Sequence, residues 1–245
     1  MPSIKVNGVV IEYRLLRTRQ NKHLRLTVSD KGGVRVSAPK RCPESRMHAL
    51  VRERAEWIID QLRAFEIEKN SKPRLEFRDG ASIPIHGKDR RIHLHTWDTP
   101  NGRVRLEEDA LLFTVPEHYQ QREEVLRELF GLWLRRYARW YLPKRCFELA
   151  ERMGDMPSRI SIRRQRSKWG SCSARGSINL NMLLVLLPES TSDYVIIHEL
   201  AHLRELNHSP AFWARVDLCC PDRRVEQRRL REESWLLDGW DGVDA

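Results

Sequence analysis

Two histidines one helical turn apart, His198 and His202, enclose a glutamate, Glu199, directly after the first, and a third histidine, His208, follows downstream. In a helix, residues i and i+4 share one face. Two imidazoles so placed can hold one tetrahedral metal ion. Glu199, beside the first ligand, is the natural general base for a water on that metal. His208 could complete a three-histidine site with its fourth position open, and an open position marks a catalytic rather than a structural metal.

The flanking residues predict the helix that must carry this site. Ser190-x-x-Asp193 resembles a capping box after Pro188, and a helix is expected from about residue 191 to about 206. Ile196, Leu200 and Leu203 form an apolar stripe on it. Asn207 suits a left-handed helix end that could swing His208 back toward the metal. Ser209-Pro210 then opens a short helix through Phe212, Trp213 and Val216.

Upstream lies a basic stretch, Ile160 to Ser173, followed by Gly176 to Asn181, whose ends read as two short strands. A strand beside the metal helix could pair with an extended substrate by β-addition. Alternatively Arg163, Arg164, Arg166 and Lys168 could meet phosphates, or the segment is a solvated edge strand. Arg164, Arg166, Lys168 and Asn181 are the candidate substrate-binding residues. Tyr194 and Asn181 could also serve as oxyanion donors, or as packing and strand-end residues.

The chain has 245 residues and a formal charge of +10. That balance favours anionic partners, nucleic acid and nucleotides among them, or reflects solvated arginines spread over many segments. No apolar run is long enough to span a bilayer, and the first residues carry no signal-peptide pattern. Five cysteines without a C-x-x-C pair suit a reduced, cytoplasmic setting.

The rest of the chain reads as α+β. Hairpins are expected around Asn7-Gly8 and around residues 30–33, then a helix from Pro43 to about 68 and a break at 70–73. Strands follow at Leu75–Phe77, Ser82–Ile85, Ile92–Thr96, Val104–Leu106 and Leu111–Val115. From Glu117 to Met153 the pattern is helical, with a possible break at Pro143. Its stripe of Trp133, Tyr137, Trp140, Tyr141 and Phe147 reads as core. No internal repeat is evident. The expected division is a β-rich region with one helix at 1–115 and a catalytic domain at 116–245. Residues 221–237 read as an exposed helix and 238–245 as a frayed tail.

Lys168-Trp169-Gly170-Ser171-Cys172-Ser173, Ile178-Asn179-Leu180-Asn181, the run from Asp193 to His202, and Asn207-His208-Ser209-Pro210-Ala211-Phe212-Trp213 closely resemble the YgjP-like metal-dependent hydrolases. These are zincin-type proteins related to the WLM and SprT-like metallopeptidases. The run from Asn21 to Val28, Val36 to Pro39, and Ala55 to Ile58 are similar to that family as well. The resemblance implies an α+β fold, with a hairpin-rich N-terminal part and a zincin-like core in which the HExxH helix packs on a small sheet. It implies His198, His202 and His208 as metal ligands, Glu199 as general base, and zinc as the metal, although nickel or cobalt also suit nitrogen donors. Related metzincins carry glycine where Glu205 stands here, so His208 is expected to reach the metal after a longer helix. Three readings remain open: a metallopeptidase acting on protein or peptide, a nucleotide phosphohydrolase using the same site, and a nucleic-acid-associated binding module with a structural metal.

Overall fold

A computed structural model describes residues 1–29, 32–71, 73–98, 101–119 and 122–239. The turn expected at 30–33 and the break expected at 70–73 lie partly outside these residues, and the tail lies outside them from 240 onward. The fold is mixed α+β, as expected. It divides into two units, Met1–Lys72 and Pro73–Ala245. The expected boundary after residue 115 runs through the second.

The first unit orders four strands, β1 (Ser3–Val6), β2 (Val9–Thr18), β3 (Arg25–Ser29) and β4 (Gly33–Pro39), as β1-β2-β4-β3. Helices α1 (Glu44–Glu53) and α2 (Ala55–Ser71) follow, so the single helix expected there is interrupted at Arg54. Tyr13, Val34, Val36, Met47, Val51 and Ile58 alternate or recur at helical spacing and fill this unit's own core.

The second unit opens with the same arrangement. Strands β5 (Ser82–Ile85), β6 (Lys88–Thr96), β7 (Arg103–Leu106) and β8 (Ala110–Val115) take the order β5-β6-β8-β7. In both sheets the outer pairs are antiparallel and the central pair parallel, with Tyr13 opposite Val34 and Ile92 opposite Leu111. Both first hairpins turn on two left-handed residues, Asn7-Gly8 (φ 49° and 80°) and His86-Gly87 (φ 53° and 73°), the backbone that fits the twist of the strands. The expectation of no internal repeat is therefore corrected: the β-unit occurs twice. In sequence it shows in few identities, Ser3-Ile4 with Ser82-Ile83, the turn glycines and Leu15 with Leu94 among them. What such a unit requires is alternation and a turn, and different side chains satisfy both. Leu75–Phe77 forms no strand. Phe77 packs into the core all the same.

Helix α3 (Glu123–Met153) runs unbroken through Pro143. Of its aromatic stripe only Trp133 is buried. Trp140 is 64% and Phe147 48% exposed, so the reading of the whole stripe as core is corrected. Three short strands follow, β9 (Arg159–Arg163), β10 (Gly170–Cys172) and β11 (Ser177–Asn181), ordered β10-β11-β9. A 3-10 turn, Met182–Leu186, is wholly buried and leads to α4 (Glu189–Ala201), α5 (Pro210–Cys219), α6 (Arg223–Glu232) and α7 (Trp235–Gly239). Among the described residues no helix is long and apolar enough to cross a membrane.

Candidate metal centre

Helix α4 is buried over most of its length from Thr191 onward. Ile196, Ile197, Leu200 and Ala201 sit in the core of the second unit, and Glu199 is 7% exposed. Its start differs from the expected capping box. Pro188 is the N-cap, without a side-chain cap bond. Asp193 instead accepts a bidentate ion pair from Arg145 of α3 at 2.8 and 2.5 Å, and Thr191 donates to the buried Glu226 of α6 at 2.6 Å. A tertiary partner has thus taken the Asp193 carboxylate that a local cap would use. The His86-Gly87 turn packs on Pro188, where a Cβ at Gly87 would approach the Pro188 backbone to 2.9 Å.

The end of α4 is also shorter than expected. His202 is the C-cap, and the chain tightens there through bonds from Leu203 to Leu200 and from Arg204 to Ala201, the i→i+3 pattern of a 3-10 turn. Asn207 is not left-handed, since Asn7 and His86 are the non-glycine residues with positive φ among those described. No glycine is needed because the turn is pinned by side chains. Arg204 and Arg215, the latter on α5, both grip the buried Asp155 carboxylate, Arg204 at 2.6 Å. Ser209 caps α5 by accepting from the Phe212 N–H.

The three histidines converge. Their ring centroids lie 4.9–5.0 Å apart, and one nitrogen from each falls within 4.8 Å of the others. His198 Nε2 and His208 Nε2 are 3.1 Å apart. Two nitrogens bound to one tetrahedral zinc at about 2.0–2.1 Å would lie about 3.3 Å apart, so the donor set and its spacing fit a metal of that kind. His202 Nδ1 donates to the Glu205 carbonyl at 2.9 Å, which leaves its Nε2 lone pair for a metal, the orienting bond that metal-binding imidazoles generally make. His198 Nδ1 is buried without such a partner. Phe212, fully buried, touches all three rings at centroid distances of 4.6–4.9 Å. Trp213 stacks on His208, the most exposed of the three, and Arg223 covers the outer face of that indole.

Burial, with His202 and His208 alongside, lowers the His198 pKa to about 4. The imidazole therefore stays neutral and able to donate its lone pair at physiological pH. Burial pushes the Glu199 carboxyl up to about 7, against the downward pull of the Lys168 ammonium and of the Cys172 peptide N–H that donates to it. A carboxyl so poised can take and return a proton near neutrality. Strand β10 comes so close to Glu199 that a Cβ on Gly170 would stand 2.7 Å from its Cγ. A cleft of about 240 Å³ opens here, lined by Lys168, Trp169, Gly170, Tyr194, Val195, His198, Glu199 and Leu230.

Of the proposed substrate-binding residues, only Lys168 lies in that cleft. Arg164 donates to the carbonyls of Gln165 and Leu237. Arg166 is exposed and lines neither this cleft nor the basic one beside β9. Asn181 is fully buried. Its amide donates to the carbonyls of Gln165 and Lys168, and its oxygen accepts from the Leu183 N–H. It thereby holds the loop that presents Lys168. Tyr194 pairs with Gln227 of α6. Sequence reasoning missed Gly170, Phe212, Trp213 and the Glu205 carbonyl. A glycine between Trp169 and Ser171, and two aromatics in the first turn after a Ser-Pro cap, were the available signals.

A family model described as "YgjP-like, metallopeptidase domain" matches residues 22–233. No curated protein matches the sequence significantly. Among solved structures, the crystal structure of the metallopeptidase zymogen of Pyrococcus abyssi abylysin is similar at 23% identity. The match covers 42% of this chain and 98% of that one, with a TM-score of 0.32.

Proposed function

The chain belongs to the YgjP-like family, whose matched region is a metallopeptidase domain, and from this premise we propose that it is a zinc-dependent peptidase of the zincin type with Glu199 as its general base. The observation that carries the reading is the convergence of His198, His202 and His208 directly beside a buried carboxyl held near neutrality. A zinc ion held by these imidazoles would supply Lewis acidity, acidifying a water and polarising a carbonyl. Glu199 accepts the water proton on its carboxylate and returns it to the leaving amine. Glu199 is only 7% exposed, so little bulk water competes for its carboxylate. Lys168 faces Glu199 across the cleft and offers a cation to a developing oxyanion or to a substrate carboxylate.

Strand β10 supports a peptide substrate. Among the described residues it pairs only with β11, on one side, so its other edge has backbone groups to offer an extended chain. That edge runs beside Glu199. Phosphoanhydride hydrolysis at the same centre would call for several cations around the metal, and Lys168 alone among the candidate basic residues lines its cleft. The alternative of a structural metal has no use for a general base.

The test is cleavage of a quenched fluorescent peptide library by zinc-loaded protein. Cleavage that is lost in Glu199→Gln is expected. Zinc-loaded protein that leaves every peptide intact yet hydrolyses nucleoside triphosphates would transfer the centre to phosphate chemistry.

A further inference from the structure

The positive charge of this chain is not spread evenly. Residues 129–147 contain five cations and no acid, and residues 156–188 contain six cations and no acid. Residues 1–72 carry a surplus as well, with 16 lysines and arginines against eight acidic residues, but there acids are interspersed. The first acid-free stretch is the middle of α3 and the second runs from β9 to the start of α4.

Part of each meets in one place. A cleft of about 550 Å³ is bounded by Arg135, Arg139 and Pro143, one turn apart along α3, and by residues 160–164 of β9 and its end. Arg163 and Arg164 line it from the strand side, and among the described residues no carboxylate lines it. Arg139 and Arg163 are exposed. The guanidinium forks of the exposed Arg139 and Arg163 match phosphate oxygens. Strand β9 is the sheet edge opposite β10, so this cleft shares no lining residue with the metal cleft. Beside Arg139 stands Trp140, an indole 64% exposed at the end of a run of contacts with Tyr137 and Tyr141.

We propose that the cleft between α3 and β9 binds the phosphodiester backbone of a single-stranded nucleic acid, with Trp140 stacking on a base at its rim. A charged groove that tracks the backbone, joined to an exposed aromatic ring, is the combination that single strands require. The assignment is independent of the peptidase reading, since it uses none of the metal-site residues.

The experiment is fluorescence anisotropy of a labelled oligothymidylate of about 12 nucleotides, titrated with the whole zinc-loaded chain at about 50 and 200 mM salt. Salt-sensitive binding is expected. The double variant Arg139→Ala, Arg163→Ala should weaken it about tenfold or more and reduce the slope of log K on log salt by about 1.4, the share of two phosphate contacts. Trp140→Ala should weaken binding about fivefold or more with the slope unchanged. Arg91→Ala, Arg105→Ala, which removes the same charge from exposed positions on β6 and β7, should leave affinity within about twofold. Glu199→Gln should bind as wild type does, so a failed peptidase assay would not touch this result. Circular dichroism and zinc content verify that each variant is folded. Four results would overturn the proposal: no binding by wild type at low salt, equal losses in the cleft and control pairs, displacement of the strand by polyglutamate at equal charge, or displacement by ATP or orthophosphate at equal phosphate concentration.

Discussion

At the residue scale, Glu199 carries a conflict between stability and chemistry. Its folded pKa, near 7, lies above the ordinary value of 4.5 because burial penalises the charged form. A carboxyl raised on folding stabilises the fold most below its unfolded pKa, and that contribution is lost as pH rises through the folded one. In the metal-free protein the loss should accrue between about pH 4.5 and 7. Glu199→Gln removes the buried charge, so at pH 8 the metal-free variant should be more stable than metal-free wild type by up to about 3 kcal/mol. The difference should vanish toward pH 4, as thermal melts at the two pH values would reveal. Equal melting temperatures at pH 8 would mean that the carboxylate is not desolvated. The same variant should lose catalysis by about 10²–10⁴-fold. Gly170 makes a separate prediction. In Gly170→Ala the new methyl must displace the Glu199 side chain, so turnover should fall about 100-fold with zinc content unchanged. Loss of zinc together with activity would show that the strand shift reaches the ligands.

At the element scale, the site depends on two short structures that hold three imidazoles together: the tight turn after α4 and the first turn of α5. The turn is pinned by the Asp155 carboxylate under Arg204 and Arg215. Arg204 is largely exposed, so the part of this pair screened by water contributes little. Asp155→Ala should cost about 2 kcal/mol, because it strands the half-buried Arg215. Phe212 supports all three rings from below. Phe212→Ala should destabilise the fold by about 3–5 kcal/mol and weaken zinc affinity about 10–100-fold, measured by competition with a chromogenic chelator. Unaltered affinity would mean that the imidazoles hold their positions without the ring. The existence and face of α4 were legible, because His198 and His202 must share a face and Ile196 and Leu200 must share the other. Its ends were not. Ser190 and Asp193 have the right types for a local cap, yet Arg145, distant in sequence, takes the Asp193 carboxylate, while Glu226 takes the neighbouring Thr191 hydroxyl. The expected helix through residue 206 likewise gave way to a turn fixed by Asp155.

At the scale of the whole molecule, family and fold class could be read from residues 166–213, where chemistry constrains residue type. The duplicated β-unit could not, because Tyr13 and Ile92 occupy matching positions with different side chains. The charge pattern was legible in principle. It lies in where acids are missing, around Arg139 and Arg163, rather than in any run of bases. As proposed, the second unit holds a peptidase centre and a separate surface for an anionic partner, on clefts that share no lining residue. The measurement that tests the central claim most directly is zinc content by elemental mass spectrometry, on wild type, Glu199→Gln and His208→Ala purified in parallel. The account predicts about one zinc per chain in wild type and Glu199→Gln, and its loss in His208→Ala. Full occupancy in His208→Ala, or none in wild type after incubation with zinc, would contradict a three-histidine centre.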